Sequence, residues 1–212
     1  MKNPMKNPEP LIQMFCKAPV LGKVKTRLIQ EMGKRRALDL CQQMLERLMA
    51  DFSAGTLKTE LWISPDKDHV FFEPYAVPRF QQAGPDLGVR MSTALHDGLA
   101  RHESVILVGT DLPLINRSYI DLAVNALRDH DVIIGPAEDG GYGLVGVNAK
   151  TPDMFSDIDW GTERVLSQTC ARLNRDGLDF GLLPLIWDVD RPDDLPRYQA
   201  WLEDIGESMV DQ

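Results

Sequence analysis

Short apolar runs separated by stretches of helical periodicity constrain this chain more than any other feature. Leu11-Ile12-Gln13-Met14-Phe15-Cys16, Glu60-Leu61-Trp62-Ile63-Ser64 and Val105-Ile106-Leu107-Val108 read as strands. So do Val132-Ile133-Ile134, Leu144-Val145-Gly146-Val147 and Leu182 to Trp187. Between them Ala37, Leu38, Cys41, Leu45 and Leu48 recur at helical spacing, as do Val89, Ala94, Leu95 and Leu99 over Asp86 to His102. Asn116 is a good N-cap for a helix carrying Ile120, Val124 and Leu127. Thr162 should cap another through Leu166 and Leu173 that stops near Gly177, and Pro192 lies in the first turn of a final helix.

A run that is apolar at every position belongs to a strand buried on both faces. Strands alternating with helices of this length make βαβ units. The expected fold class is therefore α/β: one Rossmann-like domain with a mostly parallel central sheet and helices on both faces. No composition break marks a second domain, so residues 10–212 should form one unit behind a flexible leader at 1–9 that repeats Met-Lys-Asn-Pro. The stretch from Ala137 to Asp159 interrupts the alternation and is expected to make a small lobe over the sheet's edge.

At 212 residues, most of the apolar surface can be buried without disulfides. The three cysteines, Cys16, Cys41 and Cys170, are scattered and form no C-x-x-C pair, which suits a reducing cytoplasm and small buried roles. No run approaches the roughly twenty apolar residues that span a bilayer, and the lysines at the start precede no apolar core. Cytoplasmic is the default expectation, and no feature sets an oligomeric state. A net charge of −9 argues against nucleic acid as a partner. Yet seven basic residues (Lys17, Lys23, Lys25, Arg27, Lys34, Arg35, Arg36) lie between Lys17 and Arg36 against one acid, Glu31. Such a patch suits a small anion, although Lys34 to Arg36 read equally well as a solvated helix face.

In an open α/β sheet, ligands sit beyond the carboxyl ends of the strands. The first strand is followed by Lys17-Ala18-Pro19-Val20-Leu21-Gly22-Lys23-Val24-Lys25-Thr26-Arg27, the third by Gly109-Thr110-Asp111-Leu112-Pro113, and the last by Asp188-Val189-Asp190. One basic loop and two acidic points should converge on one edge, as a pyrophosphate bridged to a divalent metal requires. Separately, each acid is an ordinary turn or helix-start residue. The loop is not a Walker motif, because Val24 follows Lys23 where Ser or Thr is needed and Lys17 stands in place of Gly.

Ala137-Glu138-Asp139-Gly140-Gly141-Tyr142-Gly143 is a second polar cluster, whose glycines permit a tight turn that turns Asp139 and Tyr142 toward a ligand. Gly141-x-Gly143-x-x-Gly146 mimics a dinucleotide fingerprint but runs into a strand, whereas the fingerprint opens a helix. No serine sits in a nucleophile elbow, and His69, His96, His102 and His130 show no metal-ligand spacing. Trp160-Gly161-Thr162 precedes a helix and is open to two readings, a platform for a sugar or a core plug.

These motifs resemble those of bacterial glycosyltransferases related to arsenosugar biosynthesis. Phe15 to Leu28 matches F-x-K-x-P-x-x-G-x-x-K-T-R-L. Gly84-Pro85-Asp86-Leu87-Gly88-x-Arg90-Met91, Gly109 to Pro113, Gly135 to Tyr142, Trp160-Gly161-Thr162 and Asp188-Val189-Asp190-Arg191-Pro192-Asp193-Asp194-Leu195 follow in order. The layout is also similar to phospholactate and molybdenum-cofactor guanylyltransferases. The chain departs from the family in two places: Leu112 stands where Cys is common, and Gly143 where a second Tyr is usual.

The resemblance implies a GT-A-type fold, a nucleotide-diphospho-sugar donor, a small-molecule acceptor and Mg²⁺ or Mn²⁺ as cofactor. It implies metal ligation by Asp111, Asp188 and Asp190, and phosphate contacts from Lys17, Lys25 and Arg27 together with Ala18, Pro19, Gly22 and Thr26. Asp86, Gly88 and Arg90 should shape the base and ribose pocket. Gly140, Gly141, Tyr142, Trp160, Gly161 and Thr162 should hold the acceptor, with Asp111 and Asp139 catalytic. Glycosyl transfer is the leading expectation. Nucleotidyl transfer to a phosphorylated small molecule, with release of pyrophosphate, is the alternative, and a nucleotide-binding protein without turnover is a third reading.

Overall fold

The computed structural model describes residues 9–53, 57–148, 153–207 and 209. Residues 1–8, which hold nearly all of the expected leader, lie outside them. The chain forms β1 (Leu11–Lys17), α1 (Ile29–Ser53), β2 (Thr59–Ser64), β3 (Arg79–Gln81), α2 (Leu87–Leu99) and β4 (Ser104–Gly109). It continues through α3 (Arg117–Ala126), β5 (Val132–Pro136), β6 (Tyr142–Asn148), α4 (Val165–Arg175), β7 (Phe180–Leu182) and α5 (Leu195–Asp204).

One seven-stranded sheet runs in the order β3-β2-β1-β4-β6-β5-β7. All its pairings are parallel except those of β6, which lies antiparallel to both β4 and β5. The continuous apolar runs divide by parity between two cores. Ile12, Met14, Ile63 and Ile106 pack with Leu38, Cys41 and Leu45 of α1 and Ile120 of α3. Leu11, Val105, Leu107 and Val145 pack with Met91, Ala94 and Leu95 of α2 and Leu173 of α4. Helices thus cover both faces, as the apolar runs predict. A third cluster binds α5, through Tyr198 and Leu202, to Leu40 and Met44 of α1.

Several local expectations are corrected. The helical element around Ala37 begins earlier, at Ile29, and is broken at Gly33, whose φ of 80° leaves the helical region. β3 carries no readable pattern, since three residues held by a parallel neighbour need no alternation of their own. The last strand ends at Leu182 rather than Trp187; Pro184 has no N–H to donate, and only an isolated bridge between Ala137 and Ile186 continues the pairing. The N-cap of α4 is Arg164, not Thr162, whose hydroxyl instead donates to the carbonyl of Asp159 and accepts from the Arg164 N–H. Asn116 and Asp86 do cap α3 and α2, each accepting from the N–H three residues on.

Two polar residues inside the strand runs form a buried cluster under α2. Glu60 is 1% exposed. Its Oε1 accepts from Gln13 Nε2 at 2.9 Å, Trp62 Nε1 at 2.8 Å and an Arg101 guanidinium nitrogen at 3.1 Å. The same guanidinium nitrogen reaches Oε2 at 3.0 Å. Every donor it needs is present, which is what makes burial of a carboxylate tolerable.

Candidate active site

β1 has β2 on one side and β4 on the other, so successive crossovers leave it in opposite directions and open a crevice at the carboxyl ends of β1 and β4. The basic loop leaves β1 into this crevice, and Asp111 follows β4. Ala18 and Pro19 are buried and form the loop's floor, with the Ala18 N–H donating to the Ser64 carbonyl at 2.8 Å. Gly22 takes the left-handed conformation (φ 74°) that lets the loop turn over Lys34. Lys17, Thr26 and Arg27 are exposed.

Lys25 is different. Its backbone is left-handed (φ 46°, ψ 42°), a geometry that costs a non-glycine residue about 1–2 kcal/mol. Its side chain is 3% exposed, and its ammonium lies 2.7 Å from Asp111 Oδ1 and 2.6 Å from the Val189 carbonyl oxygen. A buried ammonium is stable only with such partners. The Val189 N–H donates to the Asp111 carbonyl at 3.0 Å, so three segments distant in sequence are tied at one point. Arg27 makes the parallel contact at the surface, pairing with Asp190.

Asp188 is half-buried and its carboxyl is pushed up to about 6, first by burial and then by the charge of Asp139, with smaller effects from Asp190 and Asp194. Asp139 and Asp188 therefore share one locality, a neighbourhood that sequence spacing alone does not reveal. Both line a cavity of about 240 Å³ together with Asp111, Phe15, Leu87 and Tyr142. They also border a cleft of about 630 Å³ lined by Arg27, Gly161, Thr162 and Trp187.

Other expected site residues do visible work inside the fold. Asp86 caps α2, and Arg90 Nε donates to the Gly84 carbonyl at 2.9 Å. Gly88 lies under Trp160, where a Cβ would come within 2.8 Å of Trp160 Nε1. Trp160 contacts Tyr142 edge-on with centroids 6.3 Å apart and Phe155 at 6.1 Å, which joins the core-plug reading to the wall of the cavity. Asp139 Oδ1 accepts from the Gly141 N–H at 2.9 Å. Gly140, at φ 85°, presses against the Glu163 backbone, where a Cβ would stand 2.3 Å from the carbonyl oxygen. The two departures from the family motifs touch: a Cβ on Gly143 would lie 2.5 Å from Leu112 Cδ2, so the larger residue at 112 fills the space left at 143.

Reasoning from sequence missed Glu138, which pairs with Arg197 at 2.7 Å while that guanidinium stacks 4.4 Å above Trp187. An acid beside Asp139 and an arginine two positions past the closing motif were the available signal.

Carboxylate and carbonyl oxygens are the donors a hard divalent cation takes. Asp111, Asp188 and the Val189 carbonyl offer that chemistry, and the crowding of like charge on Asp188 is what a cation relieves. Their present spacing does not preassemble a site: among the described residues, no three His, Cys, Asp or Glu side chains stand close enough to hold one.

Residues 48–162 match the model of a family described as "Uncharacterized protein conserved in bacteria (DUF2064)". The chain belongs to this family. It is 30% identical to a "putative nucleotide-diphospho-sugar transferase" from Desulfovibrio desulfuricans G20, whose crystal structure superposes with a TM-score of 0.85 over 92% of this chain and 88% of that one. Over 120 residues it is 32% identical to 3-phospho-D-glycerate guanylyltransferase of Phenylobacterium zucineum strain HLK1. That match covers 53% of this chain and spans about half, 51%, of the relative. CMP:2-keto-3-deoxy-manno-octonic acid synthetase complexed with CTP shares the fold at 11% identity, with a TM-score of 0.61 over 93% of this chain and all of that one. The family member is therefore a single α/β domain with a nucleotide-diphospho-sugar transferase-like fold. No helix among the described residues is long and apolar enough to cross a membrane.

Proposed function

We propose that this protein transfers a glycosyl group from a nucleotide-diphospho-sugar to a small-molecule acceptor. The cavity under Asp139 and Asp188 carries the reading. At about 240 Å³ it falls below the roughly 300–1,000 Å³ of sites that enclose drug-sized ligands. It suits one sugar-sized group, with the nucleotide lying outside along the basic loop. The arsenosugar-related glycosyltransferase motifs support the same reading.

In this scheme Lys17 and Arg27 face the diphosphate across the mouth of the crevice, with Gly22 letting the loop backbone approach it. Asp111 and Asp188 would hold a divalent cation, with Asp190 beside them. That cation supplies neutralisation of the charge that grows on the departing diphosphate. Asp139 accepts the proton of the acceptor hydroxyl as its oxygen bonds to the anomeric carbon. The bond from that carbon to the phosphate oxygen breaks, and the nucleoside diphosphate leaves. Gly140, Gly141, Tyr142 and the Trp160-Gly161-Thr162 turn frame the acceptor.

Nucleotidyl transfer is the second reading, favoured by the guanylyltransferase relative and by the excess of basic residues on the loop. A panel of nucleotide sugars and nucleoside triphosphates with Mg²⁺ or Mn²⁺, read for phosphate-containing products, separates the two. Release of a nucleoside diphosphate from a nucleotide sugar supports glycosyl transfer. Release of pyrophosphate from a triphosphate replaces it, and turnover of neither removes both.

A further inference from the structure

We infer that Lys25 is a built-in cation that holds the metal position until substrate arrives, so that metal and nucleotide exchange with it as one coupled event. The inference rests on the proposed metal-dependent transfer for its context, and on the geometry of Lys25 for its substance. The Lys25 ammonium is the one cation on the loop with its head group buried, and it binds the carboxylate of Asp111 and the carbonyl of Val189 together. The Val189 oxygen belongs to the segment that also carries Asp188 and Asp190, and the Asp111 oxygen to the turn after β4. Arg27 occupies Asp190 in the same way. Two of the three carboxylates expected at the metal, Asp111 and Asp190, are thus already paired with cations of the loop that would contact phosphate.

The left-handed backbone at Lys25 is what delivers the ammonium to this point, since a lysine has no conformational preference for it. Asp111, in contrast, is 57% exposed at its side chain, so the pair is buried from the lysine side and open from the solvent side. A metal can reach Asp111 from that open side, and displacing the ammonium frees it to swing toward a diphosphate. An ion entering without an anion would leave Lys25 buried and unpaired, and that penalty makes each ligand favour the other.

Mn²⁺ binding to the full chain without nucleotide, followed by electron paramagnetic resonance, tests this directly. Wild-type protein should bind weakly, and Lys25→Met should bind about tenfold more tightly, within the range that a coupling of this kind produces. A clamp that only positioned Asp111 and Val189 would give the opposite sign, with weaker Mn²⁺ binding in Lys25→Met. Weaker or unchanged affinity, or no binding by either protein, overturns the inference. If Lys25→Met does not fold, acetylation of Lys25 in wild-type protein, followed by peptide mass spectrometry, gives the second reading. Saturating Mn²⁺ should speed the labelling of Lys25, and an unchanged or slower rate overturns the proposal. The Mn²⁺ titration needs no donor, so tighter binding in Lys25→Met stands even where no sugar is transferred. Turnover of a nucleotide sugar without that tightening leaves the glycosyl-transfer reading intact and removes this one.

Discussion

Among the described residues, the charged groups Glu60 and Lys25 are both buried, and they are buried in different ways. Glu60 is enclosed under α2 and receives hydrogen bonds from Gln13, Trp62 and Arg101, so nothing further is needed to hold it. Lys25 is enclosed at the mouth of the crevice, yet its main partner, Asp111, faces solvent. The first arrangement has buried neutral donors, Gln13 and Trp62, beside a partly exposed Arg101, and it fixes a helix to a sheet. The second has its main partner open to solvent and can trade partners. A buried charge held by buried neutral donors is structural, and one whose main partner faces the crevice is available for function.

The sharpest way to break this contrast is to remove charge at the open group. Asp111→Asn keeps an oxygen for Lys25 but removes the carboxylate, so turnover should fall by about 10²–10³-fold, as when one preorganised electrostatic contact is lost. Melting temperature should fall only modestly, because the asparagine oxygen still accepts from the buried Lys25 ammonium and the Asp111 side chain is 57% exposed. A variant that melts early and still turns over would reverse the assignment of the two regions.

Arg101→Met should do the converse. It strips Glu60 of its cationic partner and should destabilise the fold by about 2–3 kcal/mol, discounted from the full burial penalty because Arg101 is 40% exposed at its side chain. Chemical denaturation should register that loss, while nucleotide-dependent shifts in melting temperature stay as in the wild type.

A third measurement uses pH. Burial, with Asp111 adding to it, pushes the Cys41 thiol from 9.0 up to about 12, against opposing pulls from Lys25 and Lys17. The folded state keeps this proton and the unfolded chain releases it above pH 9, so stability is intact below pH 9 and falls as pH rises toward 12. Loss of on the order of 1–2 kcal/mol is expected one and a half pH units above the unfolded value, and Cys41→Ala should shallow the slope. A stability curve of equal slope in both proteins would take Cys41 out of the account. The smallest effect belongs to Arg27→Met, whose pair with Asp190 is exposed. It should cost stability less than about 1 kcal/mol and show mainly as weaker, less salt-sensitive donor binding.

The sequence made the placement of the site legible through one rule: polar residues directly after apolar runs gather at the carboxyl edge. Lys17 closes β1 and Asp111 stands just past β4, so both can be read from strand ends, whereas β7 stops at Leu182 and Asp188 lies beyond it in irregular chain. The reversal of β6 could not be, because Leu144 to Val147 look the same in either direction. Nor could the pairing of Lys25 with Asp111 and Val189, since a contact 164 residues apart depends on where loops fold back. The Glu60 cluster did leave a trace. Gln13 and Glu60 are polar residues at the centre of apolar strands, and each such interruption demands a partner.

The hairpin between β5 and β6 has one more consequence. Its tip, residues 137–141, is locked to the turn before α4 by Gly140, whose carbonyl accepts from the Leu166 N–H at 2.9 Å and whose missing side chain admits the Glu163 backbone. The two turns therefore behave mechanically as one plate, and Asp139 rides on it beside Asp188. An insertion in either turn would tilt the whole plate, and with it the position of Asp139. Sequence drift in one turn is thus tied to drift in the other, so new acceptors would have to be accommodated by both turns together.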